Sequence, residues 1–358
     1  DARSMSHAWL ITGPPGSGRS VAARAFAAAL QCTGETVGCG QCAGCRTTMG
    51  RTNADVVFAA TETSIINVET ARSLVLQAQS SPSQGLWRVI VVEDADRLGE
   101  SGANALLKAI EEPPEHTVWL LCAPSPEDMI ATIRSRCRHL GLRIPTASAV
   151  ADLLVREGVA TPEVALEAAR AAQSHIGLAR ALARDPQMRE RRRAIITAPA
   201  SVRSVGEAVM AADRLLETAK AQADAQVSER NAREKAELMR QLGMDEGESA
   251  TKASRTMIRQ LEEDQKRRSK RALTDAIDRA LIDLLAIYRD VLMVQVGGDG
   301  ELINTDLSDL VHEIAQDSTP RQTLARVDHI ETARKRLVSN GNPLLVLEDM
   351  AISLRPQA

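Results

Sequence analysis

Aromatic side chains are nearly absent: the 358 residues hold two Phe, one Tyr and three Trp. That scarcity argues against nucleic-acid recognition by base stacking, which needs aromatic platforms. A large charge of either sign is missing too. The formal net charge is −3, which excludes a global attraction to nucleic acid or to an anionic membrane. No apolar run approaches the length of about 18 residues that a spanning helix needs, so no membrane contact is expected. The N-terminus does not read as a secretory leader, and a cytoplasmic location is the expectation. The chain opens at Asp1 without Met, and its first strand pattern follows almost at once; the expectation is that native residues precede it. What is present is ordinary for a globular protein, 44% hydrophobic and 25% charged, at a length that suits two or three domains.

A lysine is also lacking where a motif calls for one. Gly13-Pro14-Pro15-Gly16-Ser17-Gly18-Arg19-Ser20 has the spacing of a phosphate loop, G-x-x-x-x-G-K-[ST], with Arg19 at the lysine position. Gly13, Gly16 and Gly18 let successive N–H groups turn toward an anion. Ser20 stands at the start of a helix, where its hydroxyl is the expected magnesium ligand. Arg19 keeps the charge but replaces a compact ammonium with a wide planar fork, which is not a conservative change at a tight site. Two readings follow: a loop that still binds nucleotide, ATP or ADP, with magnesium only alongside it, or a relic that merely starts a helix.

Residues 1–145 alternate strand and helix patterns, which predicts an α/β fold with a parallel sheet covered by helices. Ala8–Ile11, Asp55–Phe58, Arg88–Val92 and Thr117–Leu121 read as strands; Val21–Leu30, Val68–Ser80 and Gly102–Glu112 read as helices. Residues 146–200 read as a small domain of short amphipathic helices, ended by Pro162, Pro186 and Pro199. Residues 201–358 read as all-helical. Within them 211–279 is long and highly charged, with a break at Gly243–Gly247, and predicts a helical hairpin. Its densest stretch, Glu262–Arg271, is a solvated face or a docking surface.

Cys32, Cys39, Cys42 and Cys45 have the spacing C-x6-C-x2-C-x2-C, which lets four thiolates converge on one tetrahedral zinc. Such a site has no open coordination position, so the metal would be structural. A disulfide is the competing reading, and it fits poorly with a chain that has no secretion signal. Cys122 lies in an apolar strand and reads as a small core residue.

Val89–Val92 runs into Glu93-Asp94. An active phosphate-loop ATPase has Asp-Glu there, one side chain holding magnesium and the next orienting water. The reversed order moves each carboxylate by about one bond, and a shift on the order of 1 Å can cost about 100-fold in rate. An ordinary acidic strand end is the alternative. Downstream stand Asn104-Ala105-Leu106-Leu107-Lys108…Glu111-Glu112-Pro113-Pro114, Ser135-Arg136-Cys137 and Gly177-Leu178-Ala179-Arg180. With the four cysteines, these segments resemble the bacterial clamp loader AAA+ family, and within it the delta-prime subunits of DNA polymerase III. The motifs cover residues 7 to about 185.

The resemblance implies an AAA+ domain with an inserted zinc module at 32–45, a helical lid over 146–200 and a helical collar over 201–358. It implies membership of a heteropentamer with gamma/tau and delta subunits that loads the sliding clamp onto primer-template DNA, within a holoenzyme that is a nucleotidyltransferase. Arg136 matches the family's arginine finger, which acts in trans on ATP held by a neighbour; outside the family it would read as a loop arginine. Arg180 matches the second sensor arginine, or is a plain helix-surface residue. Gly13, Gly16, Gly18, Arg19, Ser20, Glu93, Asp94 and Arg180 would form a degenerate nucleotide site. Cys122-Ala123-Pro124 stands where hydrolysing members carry threonines that position water. Three departures in one site lead to the expectation that the isolated chain lacks efficient ATPase activity. A self-sufficient gamma/tau-like motor remains the alternative.

Overall fold

A computed structural model describes residues 5–59, 66–242 and 252–355. The expected hairpin turn at Gly243–Gly247 lies outside them. The chain divides into two compact units, residues 1–150 with 174–178, and residues 151–173 with 179–358.

The first unit is built on a five-stranded sheet of order β2-β3-β4-β1-β5. Its strands are β1 (Ala8–Thr12), β2 (Val56–Ala59), β3 (Arg88–Val92), β4 (Thr117–Ala123) and β5 (Arg138–Gly141). Every pairing is parallel, so all strand C-termini share one edge, where ligands of such sheets bind. Residues of β3 and β4 alternate between two cores because successive side chains leave a strand on opposite faces. Ile90, Val92, Trp119 and Leu121 pack on one face with Leu74 of helix α3 (Val68–Ala78) and Leu106 and Ile110 of α4 (Glu100–Glu111). Val89, Val91, Val118, Leu120 and Cys122 pack on the other with Ala23 and Ala27 of α1 (Arg19–Leu30). Burial on both faces explains the unbroken apolar runs of these central strands.

Three local readings change. The second strand starts at Val56 rather than Asp55, whose carboxylate accepts from Ser83 N, Ser83 Oγ, Gln84 N and Gly85 N at 2.6–2.9 Å. β5 carries no strand pattern in sequence. It is an exposed edge, held by pairing with β1, by Thr12 Oγ1 bonded to His139 Nε2 at 2.6 Å and by Arg138 over the Trp9 ring. Pro162 and Pro186 begin helices rather than end them. Each is the first residue of its helix, where a missing N–H costs nothing; Pro199 lies inside the last turns of its helix.

Short helices α2 (Ala43–Met49) and α5 (Ala131–Arg134) complete the sheet unit; α6 (Ala147–Arg156), α7 (Pro162–Ala171), α8 (Ile176–Arg184) and α9 (Pro186–Ser201) follow. The remainder is helical: α10 (Val205–Gln241), α11 (Lys252–Gln295), α12 (Ser308–Asp317), α13 (Pro320–Val338) and α14 (Pro343–Ser353). Ile277, Leu281, Leu284, Ile287, Tyr288 and Val291 form a buried stripe on α11 at helical spacing. It packs with Leu216 of α10, Ile330 of α13 and Leu347 of α14. Arg192 crosses this core to Asp283 at 2.9 Å and Asn304 at 2.6 Å. The charged hairpin is therefore the far part of two helices whose near parts build this core. Its arms run antiparallel, linked by Lys235–Glu262 and Arg268–Glu234 and by Ala223, Val227 and Ala272. Among the described residues no helix is long and apolar enough to cross a membrane.

Candidate functional site

The phosphate loop leaves the end of β1 and feeds α1, with Gly18 as the N-cap and no side-chain cap. Gly13 N donates to Pro124 O at 3.2 Å and Ser17 N to Pro14 O at 3.0 Å, so the loop is tied both to the end of β4 and to itself. The topology sets β4 between β1 and β3. The loop, Cys122-Ala123-Pro124 and Glu93-Asp94 therefore line one edge.

The side chains at that edge are already engaged. Arg19 donates through Nη1 to the Gly13 carbonyl at 2.7 Å, so its fork turns onto the loop's own backbone. Glu93 is held by Arg51 Nη2 at 2.6 Å. Burial pushes the Glu93 carboxyl above its ordinary value, while Arg51 and Arg24 pull it back. Asp94 begins a 3₁₀ turn, Ala95–Arg97. Asp96, two residues on, is also raised by burial and feels Arg19. Cys122 is buried as expected, and that burial lifts its thiol to about 12. The first hydroxyl after it, Ser125 Oγ, donates to the Glu127 carboxylate and accepts from Glu127 N; it serves as the cap of a short turn.

Ser20 is the second residue of α1 and is half-buried. Ser17 Oγ is buried with no partner among the described residues. The loop's open amides and this hydroxyl suit a phosphate. At the acidic strand end, Arg51 already pairs with the Glu93 carboxylate.

Gly16 is constrained from outside the motif. Its φ is +86°, and a Cβ there would fall 2.3 Å from the His175 ring. His175 Nδ1 in turn accepts from Leu178 N at 3.2 Å, at the start of α8. Arg180, further along α8, belongs to the second unit, where it makes a two-pronged pair with Glu157 at 2.9 and 2.8 Å.

The four cysteines come together. Their Sγ atoms all lie within 4.8 Å of one another. Cys42 Sγ and Cys32 Sγ are 3.9 Å apart, against about 3.8 Å expected for the edge of a tetrahedron with Zn–S near 2.3 Å. All four are free thiols. Cys42 N donates to Cys39 Sγ at 3.3 Å and Cys45 N to Cys42 Sγ at 3.4 Å, contacts that favour thiolates. The Cys45 amide is the main reason that Cys42 drops to about 5, while burial lifts Cys45 to about 12. Gly44 allows α2 to press against the end of α1: a Cβ there would fall 1.9 Å from the Gln31 carbonyl. The donor set and spacing fit one structural zinc ion.

Arg136 lies between α5 and β5. Ile133 beneath it is fully buried and Cys137 packs on the same core, so the intervening side chain must leave the core. It donates through Nε to Glu111 and through Nη1 to Thr132 O at 2.7 Å and Ser135 Oγ at 3.2 Å.

A family profile described as "DNA polymerase III, delta subunit" matches residues 1–146. Residues 1–146 are thus similar to a domain of bacterial DNA polymerase III clamp loader subunits. The DNA polymerase III subunit gamma/tau of Mycobacterium tuberculosis is 35% identical over 159 residues, 44% of this chain and 28% of that protein. The subunit delta' of Pseudomonas aeruginosa is 34% identical over 166 residues, 45% of this chain and 51% of that one. The chain thus spans between about a quarter and a half of these relatives. A gamma subunit-related protein of Thermotoga maritima superposes over 99% of this chain and 96% of its own, at 16% identity and a TM-score of 0.46.

Four residues at these places escape sequence reasoning: Arg51, Arg24, His175 and Glu111. Arg51 follows the zinc module and His175 precedes Gly177, but neither belongs to a motif with a stated chemistry. Glu111 sits inside the Glu-Glu-Pro-Pro segment, and only its contact with Arg136 sets it apart from Glu112.

Proposed function

We propose that this chain is the delta-prime, or stator, subunit of a clamp loader, with a chemically idle nucleotide site of its own and a finger, Arg136, that serves a neighbour. In this reading it joins gamma/tau and delta subunits in a five-membered ring. Residues 146–200 act as the lid and residues 201–358 as its share of the collar. ATP bound by the motor subunits closes the ring, opens the sliding clamp and admits primed DNA. Arg136 places a fixed positive charge where negative charge grows on the neighbour's transferring phosphoryl group. DNA is met through its backbone by the assembled ring, in keeping with so few aromatics.

The observation that carries this reading is the contact of Arg19 with Gly13 O at 2.7 Å. A cation turned onto its own loop is not reaching for β- and γ-phosphates. The test pairs two measurements. Titration of the isolated chain with labelled ATP, followed by turnover, is expected to show no hydrolysis comparable to a motor subunit. Arg136→Ala in the reconstituted ring is expected to lower DNA-stimulated ATPase with assembly intact. An unchanged rate removes the trans role.

A second reading, a self-sufficient gamma/tau-like motor, draws on the 35% identity to the Mycobacterium protein. Robust hydrolysis by the isolated chain decides for it.

A further inference from the structure

We propose that Glu111 is a positioning residue for Arg136, fixing the guanidinium so that its outward edge meets the neighbour's triphosphate already oriented. The inference rests on Arg136 acting in trans. It begins with what surrounds the arginine. Glu111 is the last residue of α4, and the preceding Ile110 is fully buried in the core that also holds Ile133. The carboxylate is therefore mounted on a rigid turn, as is the arginine's own backbone. Arg136 N donates to Ile133 O at 3.1 Å and Cys137 N to Arg134 O at 3.4 Å.

Three acceptors then divide the guanidinium. Glu111 takes Nε, while Thr132 O and Ser135 Oγ take Nη1. Among the described residues none accepts from Nη2, so that nitrogen is the donor left for a ligand from outside. Thr132 O and Ser135 Oγ belong to the arginine's own turn and hold one side of the fork. Only Glu111 reaches it from another element, and only that contact sets the rotation of the planar group. A long arginine chain without it samples many rotamers, and each productive geometry must then be selected before charge can be neutralised. The pair is half-exposed on both sides, at 39% and 40%, and pairs of that kind contribute little to folding. Substitution at Glu111 therefore probes orientation rather than stability.

The experiment uses the complete ring, reconstituted from this chain with its own organism's gamma/tau and delta subunits, sliding clamp and primed DNA. Glu111→Ala is expected to lower kcat for DNA-stimulated ATP hydrolysis about 10-fold with KM for ATP unchanged and ring assembly intact by gel filtration. Glu111→Gln retains an oxygen acceptor for Nε and is expected to restore most of the rate. Glu111→Ala added to Arg136→Ala is expected to cost nothing further, since the two act as one unit. A wild-type or faster rate in Glu111→Ala overturns the proposal, the faster rate by marking Glu111 as a latch. An equal loss in Glu111→Gln, or a further loss in the double variant, overturns it as well. Arg136→Ala without effect overturns the trans reading itself, whereas a loss in Arg136→Ala with a normal Glu111→Ala removes only the role of Glu111.

Discussion

Two arginines of the sheet unit occupy motif positions, and the structure treats them in opposite ways. Arg19 sits in a phosphate loop and points its fork at the loop's own carbonyl. Arg136 sits on a surface turn and has its fork braced by Glu111, Thr132 and Ser135. The first is paired within its own loop; the second is braced at the surface, the arrangement that the proposed trans role needs. The difference teaches that a conserved-looking charge does not define a working site. What counts is which edge of the guanidinium remains available, and the contacts made in the folded chain decide that.

The largest expected effect concerns the cysteine module, which packs at the end of α1 opposite Arg19. Zinc contributes folding free energy directly, about 10 kcal/mol in small zinc domains at neutral pH. Chelation is expected to lower the melting temperature of the sheet unit by about 10 °C or more. Hydrogen exchange should then rise over α2 and Arg51, and so around Glu93, while the Arg136 turn keeps its protection. One zinc per chain by elemental analysis checks the premise; uniform loss of protection over both regions breaks the comparison.

The next effect is kinetic. Arg136→Ala in the assembled ring is expected to lower stimulated ATPase about 10³-fold, the lower end for arginine fingers, whereas Arg19→Ala should change it less than about twofold. Equal losses would erase the distinction between the two arginines.

A smaller effect serves as a control remote from both. Burial opposes ionisation of Asp55, but the Ser83, Gly85 and Gln84 amides and the Ser83 hydroxyl outweigh it and hold the carboxyl below its ordinary 3.8. A depressed folded value means stabilisation that is full above 3.8 and fades as pH falls through the folded value. Asp55→Asn is expected to cost about 2 kcal/mol at pH 7 and to narrow the gap to wild type below pH 4, as read by urea melts at both pH values. A constant gap contradicts the assignment. Neither arginine site should respond in kinetics.

The smallest expected effect is none at all. Arg19→Lys is expected to leave the isolated chain without turnover, because Glu93 stays paired with Arg51 and Ser125 stays in its turn. Turnover comparable to a motor subunit would show that the loop cation alone made the site idle.

Short-range pattern carried the fold. β3 and β4 were legible because buried parallel strands are unbroken apolar runs, and the cysteine group because its spacing over 32–45 nearly dictates convergence. β5 was not legible, since Arg138–Gly141 is an exposed edge whose strand character comes from β1 beside it. Pro162 and Pro186 were read as stops because a proline marks a helix boundary without saying which side the helix lies on.

The order of residues alone determined that a phosphate loop, an acidic strand end and four closely spaced thiols exist; the strand order that brings the first two to one sheet edge came from the structure. Tertiary structure decided what those groups do there: Arg51 on Glu93, His175 against Gly16, Arg19 on Gly13 O, Glu111 on Arg136. The physical reason is range. Periodicity and spacing act within a few residues along the chain, but a charged side chain with several rotamers settles on whichever partner the topology brings within about 3 Å, and most of those partners are dozens of residues away.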